Sequence, residues 1–260
     1  MANAAIAYLN LADSGTVSAS SQQVTLPATN VQTPHVEERW RSSVSSAYLI
    51  VDLGSVQSID TVLLRGITVG SSGTAQVRIS ATDPQVESAL LHDSGALSSG
   101  SSSFDVAYDA LVRLLSTPVS GRYVRIDLLD SAASYVEAGR LFVGLRTTFD
   151  RNFTFGWSIG WADRSVKSKT RGGQTLTWND NSYRILDVNF DSVSSSQRYG
   201  IVESIDRLNG QRTDILFITD PDSTNLPRDS IWGLITDLSP VVQPQLVDIF
   251  GRQYKIEERL

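Results

Sequence analysis

The side chains best suited to proton transfer at neutral pH are two histidines, His35 and His92, and no cysteine accompanies them. A serine nucleophile activated by histidine is announced by a motif such as G-x-S-x-G, and neither histidine lies near one. His35 follows Pro34 in a polar stretch and His92 sits in Leu91-His92-Asp93, so both read as surface residues. A zinc site would need carboxylates to complete its ligands, and no metal and no cofactor is expected. Glycoside hydrolysis needs two carboxylates held a set distance apart, and the most suggestive pair is Glu37-Glu38 beside Trp40. Adjacent acids in a loop are ordinarily solvated, so no catalytic residue is assigned and the chain is not expected to be an enzyme. Asp220 and Asp222 flank Pro221 and precede Asn225, a set that could ligate calcium, but without EF-hand spacing a turn is the simpler expectation.

Two sets of residues could bind rather than react. A sugar packs its C–H face on an aromatic ring and sends its hydroxyls to directional partners. Asn30, Arg39, Trp40 and Arg41 supply both in one early loop and form the candidate glycan-binding set, with a core position for Trp40 as the alternative. Further on, Phe153, Phe155, Trp157, Ile159 and Trp161 alternate with Asn152, Thr154, Gly156, Ser158 and Gly160, the strongest strand signal in the chain. Its small-residue face would let another chain or sheet approach closely, a plain barrel strand being the alternative. Next come Arg164, Lys167, Lys169 and Arg171, the one basic cluster, beside Gly172-Gly173. Phe153, Phe155, Trp157, Trp161 and these four cations are the candidate contacts between subunits, a solvated hairpin tip being the alternative for the cations.

The elements that must carry these residues are mainly β. A chain of 260 residues suits two domains. In the first half Leu49, Val51 and Leu53 alternate in a strand expected to close at Gly54. Ala75, Val77 and Ile79 alternate in a second, and Val124, Ile126 and Leu128 alternate against Tyr123, Arg125 and Asp127 in a third. Gly70 to Gly73 and the run from Ser98 to Ser103 read as exposed turns. In the second half Ser194 and Gln197 have capping-box spacing before Ile201, Ile205 and Leu208. This predicts one helix over about 194–208, stopped by Asn209-Gly210. Strands are expected over 214–219, 231–238 and 254–258, with a turn at Asp220-Pro221-Asp222.

A net charge of -6 offers no sustained basic footprint, so nucleic acid is not expected as a partner. No window approaches the roughly 18 apolar residues of a membrane span. The first residues lack a basic region and are broken by Asn10 and Asp13, so secretion is not expected.

Trp40, the run 48–54 (Y-L-I-V-D-L-G), residues 59–66, the strand 77–80 (V-R-I-S), 122–126 (R-Y-V-R-I) and 140–144 (R-L-F-V-G) together resemble the discoidin, or coagulation factor 5/8 type C, family over residues 1–146. That resemblance implies an eight-stranded jelly-roll β-sandwich that binds glycans or lipid headgroups through loops at one end, and it places a tryptophan near position 40 in the core. The chain departs from the family at Ala81-Thr82-Asp83-Pro84, where an Asp-Gly turn and a Trp are usual. The strand 183–190, the capped helix 194–208, Asn209-Gly210, the strand 215–222 ending in D-P-D, and Trp232-Gly233 resemble a domain of tail-tip proteins of long-tailed bacteriophages over residues 147–260. The fold expected is thus mainly β: a discoidin-like sandwich followed by a smaller β-rich α+β barrel or roll with one helix. The function the two resemblances imply is a distal tail or baseplate subunit of the virion, made in the host cytoplasm. It would form a ring homo-oligomer, a hexamer first and a trimer second, beside tail tube and hub proteins, with host cell-surface polysaccharide as a further partner. A glycan-binding module without a ring role is the alternative.

Overall fold

The computed structural model describes residues 2–82, 85, 89–243 and 248–260. In chain order its first strands are β1 (Ala5–Ala7), β2 (Thr16–Ala19), β3 (Trp40–Arg41), β4 (Ser46–Arg65), β5 (Thr74–Ser80), β6 (Leu90–Asp93) and β7 (Leu97–Ser98). There follow β8 (Phe104–Asp105), β9 (Ala110–Leu129), β10 (Glu137–Ala138), β11 (Leu141–Gly144), β12 (Thr147–Thr148), β13 (Ser158–Asp163), β14 (Val166–Lys169) and β15 (Thr175–Trp178). The last are β16 (Ser182–Ser194), β17 (Ile215–Ile218), β18 (Ser230–Asp237) and β19 (Ile249–Glu258). The fold is mainly β and its sheets are antiparallel.

Two compact units emerge. The first holds Met1–Thr148, Ile215–Ser230 and Leu260, and the second holds Phe149–Asp214 and Ile231–Arg259. The sequence reading drew one boundary, after 146. The chain instead crosses between units more than once, because β17 pairs with β1, Ile6 lying opposite Phe217.

In the first unit β4 and β9 pair along almost their whole length and both bend. Their register slips between Asp52 and Gln57, where Gly54 adopts a φ of +78° and its N–H donates to Asp52 Oδ1 at 2.8 Å. Gly54 was expected to end the strand. It kinks the strand, because a left-handed residue inserts a bulge while the ladder resumes beyond it. On one side of the bend β4 lies between β2 and β9, which also pairs β5, and on the other side it lies between β11 and β9. The long strand β4 therefore has different neighbours on the two sides of the bend. The expected alternation holds: Leu49, Val51, Ala75, Val77, Ile79, Val124, Ile126 and Leu128 are buried in one cluster with Val62, Leu64, Leu111, Leu141 and Val143. Leu53 is only partly buried against it. Of the departure noted at 81–84, Asp83 and Pro84 lie outside the described residues.

In the second unit β19 pairs with β18 and β16, and β16 pairs with β13. Phe149 stacks on Phe190 at 4.1 Å between ring centroids, and Tyr254 meets Phe190 edge-on at 6.1 Å. The register of β16 and β19 is pinned by Arg184, whose Nε and Nη2 donate to Glu258 at 2.9 and 2.5 Å with both side chains buried. The helix starts as expected, Ser194 Oγ accepting from the Gln197 N–H, and stops at Gly210, whose φ is +53°. The expected single helical run is present, and it carries a π turn within it. A short α1 (Ser195–Gln197) runs through a π turn over Arg198–Val202 into α2 (Glu203–Leu208). The π turn shifts the phase of the periodic residues, so Val193, Ile201 and Ile205 are buried while Leu208 is exposed. No helix among the described residues is long and apolar enough to cross a membrane.

Candidate functional site

The early loop closes on itself rather than opening to solvent. Trp40 is 0% exposed, and its Nε1–H donates to the Ser21 carbonyl at 3.0 Å. Its ring therefore offers no face to a ligand, and the core alternative describes this residue. Asn30, in a 3-10 turn over Ala28–Gln32, spends its Nδ2–H on the Arg39 carbonyl at 3.0 Å. Sequence spacing brought these four together because they share a loop, but β3 turns alternate residues to opposite sides, sending Trp40 in and leaving Arg39 and Arg41 at the surface.

Arg39 and Arg41 meet a residue that sequence reasoning did not single out. β3 pairs with β10, which sets Glu137 opposite Arg41. Arg41 Nε lies 2.5 Å from Glu137 Oε1, and Arg39 Nη1 lies 3.7 Å from Glu137 Oε2. Arg39 also reaches Glu37 at 3.5 Å, and its Nε is buried without a hydrogen-bond partner among the described residues. The Arg41 guanidinium sits 4.3 Å from the ring centroid of Tyr135, which keeps 37% of its surface exposed. Two guanidinium groups are thus held by one buried carboxylate beside a half-open phenol ring. The signal that could have found Tyr135 is an aromatic residue alone in the polar stretch 130–135, where a loop aromatic has no core to fill.

The residues weighed for catalysis do not converge. Glu37 and Glu38 are both exposed. His35 is exposed, and His92 Nε2 accepts from Arg113 Nε at 3.4 Å. Burial, and then the Arg113 charge, hold the His92 pKa below the ordinary histidine value. Asp220 caps its own turn by accepting from the Asp222 N–H at 3.1 Å, while Asn225 turns away to Asp105 at 2.6 Å. Among the described residues no group of three or more His, Cys, Asp or Glu is placed to hold a metal ion.

The aromatic segment is not the continuous strand that its alternation predicts. Gly156 has a φ of +96°, which breaks the extended chain after Phe155, and β13 begins only at Ser158. Phe153 turns inward, edge-on to Trp157 at 5.3 Å and to Phe190 at 6.0 Å. Phe155, Trp157, Ile159 and Trp161 are all exposed, Trp161 to 64%. The basic cluster does lie on a hairpin: Lys167 and Lys169 are on β14, Arg164 precedes it, and Arg171 stands in the turn to β15. All four cations are exposed. Sequence reasoning passed over the apolar residues of the same hairpin, Val166, Leu176 and Trp178, although V-K-S-K and T-L-T-W alternate plainly on either side of the glycines.

No protein-family model matches the chain, and no curated protein matches it. Among solved structures it is similar to chitosan-binding module 1 derived from a chitosanase/glucanase of Paenibacillus sp. IK-5, at 17% identity and a TM-score of 0.43, over 53% of this chain and 100% of that one. It is similar to the lectin domain of Lectinolysin complexed with Lewis B antigen, at 17% identity and 0.42, over 52% of this chain and 96% of that one. It is also similar to a Streptococcus pneumoniae fucose binding module, at 14% identity and 0.42, over 53% and 98% respectively. These neighbours are carbohydrate-binding modules, and none of the three is a phage tail protein.

Proposed function

We propose that this chain is a non-catalytic glycan-recognition protein whose ligand meets the Tyr135 edge of the first unit. The observation that carries the reading is the Arg39–Glu137–Arg41 bridge beside the half-open Tyr135 ring. A pyranose needs an aromatic face and fixed donors for its hydroxyls. Because Glu137 already orients both guanidinium groups, little of their rotamer freedom is lost on meeting a ligand.

Chitosan oligosaccharides, fucose and Lewis b, the ligands named for the similar structures, are the first probes. Calorimetric titration of the full chain is expected to show binding that Tyr135→Ala weakens by tenfold or more, the equivalent of about 1.4 kcal/mol. The variant should melt like the parent, since Tyr135 lies outside the core. Undiminished affinity in Tyr135→Ala would remove the basis of the reading.

A second reading, assembly, is favoured by a different observation: exposed Trp161 on β13, with Phe155 and Trp157 exposed just before it, and the exposed β14–β15 ribbon. The sequence resemblance over 147–260 gives it a specific form, a ring of six or three copies at a phage tail tip in contact with tube and hub proteins. The two readings concern different units and do not compete for the same residues. Light scattering across a concentration series tests the second directly, a monomer throughout being the adverse result.

A further inference from the structure

The β14–β15 ribbon has two unlike faces. Val166 lies opposite Trp178 and Ser168 opposite Leu176, while Lys167 lies opposite Thr177 and Lys169 opposite Thr175. Since successive side chains of a strand point to opposite sides, the first two pairs share one face and the last two share the other. One face is therefore apolar and the other cationic with hydroxyls. The apolar face is uncovered: Val166 is 62% exposed and Trp178 57%. A two-stranded ribbon alone in water is at best marginally stable, so a face of this composition calls for a cover.

The same unit presents a second uncovered apolar surface. Ile159 and Trp161 share a face of β13, with Trp157 exposed just before the strand. Among the described strands β13 pairs with β16 only, which makes it an edge with its other hydrogen-bonding side free. Within one chain neither surface shields the other, because both are exposed. We infer that copies of this chain join head to tail, the apolar face of the β14–β15 ribbon of one copy covering the β13 edge of the next. This inference deepens the assembly reading and rests on it.

Two different surfaces on each copy are satisfied by one repeated contact, the heterologous arrangement that closes into a ring when its rotation allows. Charge points to the same occupant. Residues 164–179 carry four cations and no acid, so of a net charge of -6 the ribbon contributes +4 and leaves -10 on the rest of the chain. A second copy thus presents an acidic body to a basic arm, which favours encounter between them. An anionic lipid surface would attract the ribbon and repel everything else.

The test uses the full chain and two variants, Trp178→Ser on the ribbon and Trp161→Ser on β13, followed by sedimentation velocity over a concentration series. The parent should associate, and each variant alone should do so at least about 30-fold more weakly, the loss expected at a buried aromatic anchor. An equimolar mixture of the two variants should recover a dimer and nothing longer, since it contains one intact ribbon and one intact β13 edge per pair. Circular dichroism checks that both remain folded, with Leu176→Ser and Ile159→Ser as replacements for a variant that does not. Association of the parent that neither substitution weakens overturns the inference and leaves the assembly reading standing. A mixture that recovers nothing overturns the head-to-tail arrangement. A parent that stays monomeric throughout sinks both readings, and one that stays monomeric yet binds phosphatidylglycerol vesicles through Trp178 replaces the second copy with lipid.

Discussion

The β4–β9 pair and the β14–β15 ribbon are both antiparallel and both alternate apolar with polar residues, yet they solve opposite problems. In the first, Leu49, Val51, Val124 and Ile126 vanish into a core that β5 and β11 help to close. In the second, every residue of both strands is exposed. Alternation in sequence thus announces a face that needs burial without saying what will bury it. The difference lies in the sequence around each pair. The long strands are flanked by other apolar strands, whereas the ribbon is flanked by charges and glycines.

Hydrogen exchange should give the largest contrast between the two regions. Amides at the centre of β4 and β9 should exchange only through global opening, worth roughly 5–15 kcal/mol in a stable domain. In the monomer those of the ribbon should exchange with almost no protection. Ribbon amides as slow as the core in a demonstrated monomer would break the comparison. Next in size is Trp40→Ala, which empties a fully buried site and should cost about 3–5 kcal/mol, read as a fall in denaturant midpoint. It should lower stability without selectively removing glycan binding. A selective loss of binding would return Trp40 to the site. The smallest effect is one of pH. Because burial and Arg113 hold His92 below its ordinary pKa, the unfolded chain takes up the proton first as pH falls. Stability from this group is complete above the ordinary histidine pKa of about 6.5 and is lost as pH drops below it towards the folded value. His92→Gln should flatten that part of the melting-temperature profile, and an unchanged profile would show that His92 does not contribute.

Much of the first unit was legible because its strands repeat with period two and its core is drawn from those repeats. Ala75, Val77 and Ile79 are all buried as their alternation predicts. The helix limits were legible for a local reason too, since Ser194 and Gly210 act on backbone groups a few residues away. What could not be read was long-range. Glu137 lies 96 residues from Arg41, and nothing near either predicts that β3 and β10 will pair. The π turn at Arg198–Val202 left no signature in the capping pattern. Gly156 was counted as a small residue on a strand face, when its left-handed conformation ends the extended stretch at that point.

The position of β1 bears on how the protein is made. Its residues lie between Thr147–Thr148 on one side and Ile215–Ile218 on the other, and Ile6 is completely enclosed. The second of these neighbours is translated more than two hundred residues later. At roughly 5–20 residues per second, β1 waits on the order of 10–40 s after its own synthesis for that partner. Until the ribosome has passed Ile218, the nascent first unit carries an open apolar strand, and its last pairing step comes after most of the second unit has already emerged.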